Sequence, residues 1–84
     1  MYYDISEVKP QKDFSLDVRF ADGLTGKVRF LPSFFRGVFA HLTDATSFGQ
    51  VMLVDGVVTW PGDLELAPDA MHRAIKSQGE WLLD

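Results

Sequence analysis

The sequence predicts an α+β fold: a small antiparallel sheet of two hairpins plus an N-terminal strand, a short helical turn in the middle, and a C-terminal helix packed on the sheet. Three observations predict it. Phe14 to Phe20 alternates apolar and polar residues with period two, and Leu24 to Phe30 alternates again after the turn signal Asp22-Gly23. Gln50–Val54 and Val57–Trp60 flank a second turn signal, Asp55-Gly56. Behind Pro68, the residues Leu66, Ala70, Met71, Ala74 and Ile75 fall on one helical stripe.

In chain order, Tyr3, Ile5 and Val8 are raggedly spaced apolar residues ahead of Pro10 and a Gln-Lys-Asp turn. In the next strand Phe14, Leu16, Val18 and Phe20 share one face, and Ser15, Asp17 and Arg19 share the other. Leu24, Val28 and Phe30 repeat that phase, with Gly26 in one apolar position, where it marks a bulge or a close backbone approach. Leu31-Pro32-Ser33 breaks the hairpin. The segment around Gly37 is too Gly-interrupted for a long helix and reads as a helical turn or loop laying Phe34, Phe35 and Phe39 over the sheet. Thr43 to Phe48 reads as one or two helical turns capped by Thr43 or Asp44. Pro61-Gly62-Asp63 ends the second hairpin. Pro68 suits a first helical position, Asp69 the positive end of the helix dipole, and Gly79 a C-cap. Trp81, Leu82 and Leu83 either fold back on the sheet or form a loose apolar tail for a partner.

Length and composition narrow the function classes. The 84 residues read as a single domain over 1–84, with 46% hydrophobic and 13% aromatic residues to build a core. A chain this short buries little more than about 60% of its unfolded surface, so a protein partner or a homodimer is the natural source of extra burial. There are no cysteines, which removes disulfides, thiolate metal sites and a cysteine nucleophile. The net charge of −4 disfavours direct nucleic-acid binding. The start lacks a signal-peptide pattern and no apolar run approaches a membrane span, so a cytoplasmic protein without membrane contact is expected.

The chemistry-bearing residues do not assemble into a catalytic pattern. Asp44, Asp55, Asp63, Glu65 and Asp69 fit helix starts and turns better than a calcium loop or a paired-acid site. His41 and His72 are far apart in sequence and read as surface or capping histidines. No Gly-x-Ser-x-Gly elbow and no phosphate-loop spacing occurs, so no catalytic, metal or cofactor residue is assigned and a non-enzyme is expected. Arg19, Lys27 and Arg29 fall on the polar face of the first hairpin, paired with Asp17 or presented to an acidic partner. Phe34 and Phe35 cannot both turn inward from an extended segment, so one is expected at the surface. Trp60 reads as a strand-end anchor or a contact residue. The residues expected to meet a partner are Phe34, Phe35, Trp60, Pro61 and Trp81.

An ordered set of residues runs through most of the chain: Val8 and Pro10; Phe14 to Gly23; Gly37, Val38, Phe39, Leu42, Asp44, Phe48 and Val51; then Val58, Trp60, Pro61, Asp63, Leu64, Leu66, Ala67, Pro68 and Asp69. This set resembles the small bacterial domain-of-unknown-function family 2442. Glu65-Leu66 departs from that family's tighter closing block and looks like two added residues. The resemblance implies an α+β fold with a small antiparallel sheet and a C-terminal helix, and no established activity. Some relatives look like the smaller partner in two-gene operons of toxin–antitoxin type, and some are joined to a helix-turn-helix domain. The residues after the Pro68 helix are too few for such a domain, so a DNA-binding role is expected from another chain. Two expectations follow: an interaction module acting as an accessory or antitoxin-like partner of a small bacterial protein, or a small-molecule-sensing domain serving a DNA-binding regulator in trans. A metal-dependent hydrolase built on His41, His72 and carboxylates is the least supported.

Overall fold

The structure, a computed structural model, describes residues 3–84. Its strands are β1 (Ile5–Pro10), β2 (Ser15–Phe20), β3 (Thr25–Phe30), β4 (Met52–Val54), β5 (Val57–Trp60), β6 (Leu64–Glu65) and β7 (Glu80–Leu83). Two 3₁₀ segments, Pro32–Phe34 and Gly37–Thr43, lead into the short helix α1 (Ala45–Phe48); the longer helix α2 spans Pro68–Gln78.

The α+β class holds, but the arrangement of strands differs from the sequence expectation. The two hairpins do not share one antiparallel sheet. β1, β2, β3 and β7 form one sheet in that order, and β4, β5 and β6 form another. The 3₁₀ segments and α1 carry the chain away from β3 before β4 begins. β7 then joins β3 in parallel, with Val28 opposite Trp81 and Phe30 opposite Leu83. Thus the apolar tail folds back as a strand. The α2 crossover makes that parallel pairing reachable, as parallel neighbours need a long connection.

Register explains the irregular spacings. A shift between Ile5 and Glu7 in the β1–β2 ladder puts Ile5 opposite Phe20 and Val8 opposite Val18, so both face inward although three positions apart. Phe14 lies outside β2, at φ 59°, in the turn that closes with Phe14 N–H donating to Gln11 O. Although outside the strand, it keeps the inward side expected from the alternation: it packs on the core, edge-on against Phe35 and Phe48, the rings that Phe30 also meets. Ser15, on the outward face, is nonetheless buried, and its hydroxyl donates to Asp13 Oδ1 at 2.5 Å.

Phe20, Leu16, Val28, Leu42, Val58, Trp60 and Met71 are fully buried, drawing both sheets, the second 3₁₀ segment and α2 into one core. Each such side chain stabilises the fold by about 1.5–3 kcal/mol relative to exposure. Gly26 admits α2 to this core. A Cβ there would meet the Ile75 side chain and, at 2.9 Å, the Gly79 carbonyl oxygen. Glycine replaces an apolar residue on that strand face because the Ile75 side chain and the carbonyl of the helix C-cap Gly79 fill the space. At the β4–β5 turn, Asp55 and Gly56 both take positive φ, 51° and 79°, the type I′ geometry that matches strand twist. No helix among the described residues is long and apolar enough to cross a membrane.

Candidate functional site

A polar site with a buried histidine lies where α2 meets the β2–β3 turn. Pro68 starts the helix, Asp69 occupies its first turn and Lys76 its last, and Met71, His72 and Ile75 are its buried residues. His72 is only 8% exposed, which corrects the expectation of a surface or capping histidine. Its neighbour Met71 points into the core, and one step of helical rotation carries His72 to the core margin rather than to solvent. The imidazole packs between Tyr3, with ring centroids 4.6 Å apart, and Phe20, at 4.8 Å.

His72 Nε2 lies 2.7 Å from Asp22 Oδ2. The other carboxylate oxygen, Oδ1, accepts the Leu24 backbone N–H at 3.0 Å. That backbone bond, followed by the bond from His72, holds the Asp22 carboxyl below its ordinary value of 3.8. An ionised carboxylate only accepts hydrogen bonds, so Nε2–H is the donor in this pair. A cleft of about 400 Å³ opens beside the pair, lined by Tyr3, Asp22, Asp69, His72, Arg73 and Lys76. It holds an oriented imidazole and charges of both signs. His41, exposed on the second 3₁₀ segment, is not part of it. Among the described residues no group of three or more His, Asp or Glu gathers as a metal site.

The carboxylates read from sequence as caps and turns take those positions. Asp44 caps α1, accepting from Thr46 N–H at 3.4 Å and from the Ser47 hydroxyl at 3.3 Å. Asp55 and Asp63 occupy positive-φ turn positions. The basic residues of the first hairpin are ion-paired: Arg19 with Glu7, Lys27 with Asp17, and Arg29 with Glu80 at 2.6 Å.

The five residues expected to meet a partner do not form one surface. Trp60 is fully buried, and its Nε1–H donates to the Phe48 carbonyl at 2.9 Å, so it anchors the core and offers nothing to a partner. Phe34 and Phe35 are both half-buried, because the 3₁₀ turn lets adjacent residues share one side where an extended segment would not. Both rings touch Phe30, at 5.3 and 5.9 Å. Trp81 is half-buried on β7, and Pro61 is exposed in the β5–β6 turn.

A different surface stands out. Pairing puts Met52 opposite Thr59 and Thr59 opposite Glu65, with Val54 opposite Val57. These five share the outer face of the second sheet, while Leu53, Val58, Trp60 and Leu64 share the inner one. Met52 is 43% and Val54 46% exposed. The outer face of the first sheet, in contrast, carries Asp17, Arg19 and Lys27. Sequence reasoning passed over this face, although a signal was there: Val51-Met52-Leu53-Val54 is apolar without alternation, so both faces of β4 are apolar. Glu65, read as part of a two-residue insertion, lies with Leu64 in β6 and adds a third strand to this sheet.

Fold and site together define a small two-sheet α+β domain with exposed apolar residues on one sheet face and a histidine–aspartate pair at its helix. The chain belongs to the family of proteins of unknown function DUF2442, whose model matches residues 5–77. No curated protein and no solved structure matches it.

Proposed function

We propose that this protein is a non-enzymatic protein-interaction module, an accessory or antitoxin-like partner of a small bacterial protein. One observation carries the reading: Met52 and Val54 are exposed and share one sheet face with the half-buried Val57. Exposed apolar patches of this kind mark interaction sites, and a chain this small gains stability by covering one. The test is co-expression with the product of the neighbouring gene, followed by size exclusion with light scattering. A complex that forms with the native chain and is lost in a folded Met52→Asp/Val54→Asp variant supports the reading. A native chain that stays monomeric and forms no complex counts against it.

A second reading, small-molecule sensing in trans with a DNA-binding regulator, is favoured by the cleft beside His72. An oriented imidazole near Arg73, Lys76 and Asp69 suits a small polar ligand. A ligand-induced rise in melting temperature, abolished in His72→Gln, would favour this reading over the first.

A further inference from the structure

The charges of this chain are segregated, and the segregation names the partner. All eight Lys and Arg residues lie outside residues 37–72, and within that stretch stand Asp44, Asp55, Asp63, Glu65 and Asp69. The second sheet falls wholly inside it. Asp55 sits at the turn beyond Val54 and Val57, Asp63 at the turn at the opposite end, and Glu65 on the face itself beside Thr59. All three acids are exposed. The apolar strip is therefore bounded by negative charge at both ends and along one side. From these placements we infer that the outer face of the second sheet docks a partner segment whose apolar residues are flanked by Lys or Arg. The inference rests on the interaction-module reading and adds to it the chemistry of the partner.

Other occupants fit less well. A second copy joined through the same face brings Asp55, Asp63 and Glu65 near their counterparts, and like charges facing across an interface are unfavourable. Nucleic acid and anionic lipid meet a sheet whose own strands and turns carry acids and no Lys or Arg. A cation-flanked apolar segment satisfies both features at once: its apolar residues cover Met52, Val54 and Val57, and its flanks meet the acids.

The test uses synthetic peptides that share one apolar core and differ only in their Lys, Gln or Glu flanks. Each is titrated into isotope-labelled full-length protein while the backbone amides are followed. The Lys-flanked peptide is expected to move the amides of Met52, Val54, Val57 and Thr59. It should bind about tenfold or more tightly than the Gln-flanked peptide at low salt, with the gap closing as salt screens the charges. The variant Asp55→Asn/Asp63→Asn/Glu65→Gln should erase that preference. Asn tolerates the positive φ of both turn positions, so this variant keeps the fold. Equal affinity for Lys and Gln flanks, or an unchanged preference in the variant, overturns the charge recognition. If those peptides still need Met52 and Val54, the interaction reading survives. Amide shifts elsewhere, or none, overturn the docking site. A concentration-dependent dimer lost on Val54→Asp replaces the partner with a second copy.

Discussion

His72 on α2 donates to Asp22 in the β2–β3 turn at 2.7 Å, joining residues 50 positions apart in sequence. The bond ties the helix to the hairpin on which it packs and fixes the ring between Tyr3 and Phe20.

That tie makes stability depend on acid. The Asp22 carboxyl titrates below its ordinary 3.8 in the folded chain. The unfolded chain therefore binds the proton first, and the stabilisation is fully present above that ordinary value and lost as pH falls through the folded one. Asp13 is lowered too, first by the Ser15 hydroxyl, and loses its contribution in the same range. Thermal unfolding from neutral pH to about pH 3 should show Asp22→Asn less stable than the native chain at neutral pH, with the difference shrinking on acidification. Asp13→Asn should remove part of the acid sensitivity that remains. Parallel curves for native and Asp22→Asn chains would separate the pair from acid stability.

Gly26→Ala should destabilise the fold by about 1–3 kcal/mol, because the added methyl group overpacks the contact with α2. Ile75→Val should not rescue it: that change removes Cδ1, while the atoms met are Cγ1, Cγ2 and the Gly79 carbonyl oxygen. Urea denaturation of the single and double variants measures both effects.

How much was legible in sequence follows from range. The hairpins and the α2 cap were readable because alternation, Asp-Gly turns, Pro68 and Gly79 act on neighbouring residues. Alternation places Phe14 on the core side but does not reveal that a positive-φ turn residue stands there and the strand begins only at Ser15. The division into two sheets and the parallel pairing of β7 with β3 depend on contacts between distant segments, on which local pattern is silent. His72 was hidden for the same reason, since its partners Asp22, Phe20 and Tyr3 come from the far end of the chain. Met52 and Val54 were visible as an unbroken apolar run, but which side of β4 stays exposed is settled only by how β1 and β5 contact it.

Trp60→Phe should cost about 1–3 kcal/mol, through the smaller ring and the lost bond to the Phe48 carbonyl. Among the described residues, the Phe48 carbonyl then keeps the Val51 N–H at 3.4 Å. Because Trp60 is fully buried while Trp81 is half-buried, the fluorescence of native protein should contain a blue-shifted component that this variant removes. Denaturation followed by circular dichroism gives the energy independently of the fluorophore.

β7 offers the sharpest contrast between adjacent residues. Trp81 and Leu83 face Val28 and Phe30 across the parallel ladder and pack on the core. Leu82, between them, points the other way and is 50% exposed. If β7 is an integral strand, Trp81→Ala should destabilise by about 1–3 kcal/mol, while Leu82→Ser stays within about 0.5 kcal/mol, as expected of surface positions. A loose tail would make both changes silent, and a tail packed without strand pairing would not alternate. Urea midpoints for the two variants, together with hydrogen exchange at the Leu31 amide, which donates to Leu83 O at 2.9 Å, distinguish these outcomes. Slow exchange at Leu31 that becomes fast in Trp81→Ala and stays slow in Leu82→Ser is the pattern the parallel pairing requires.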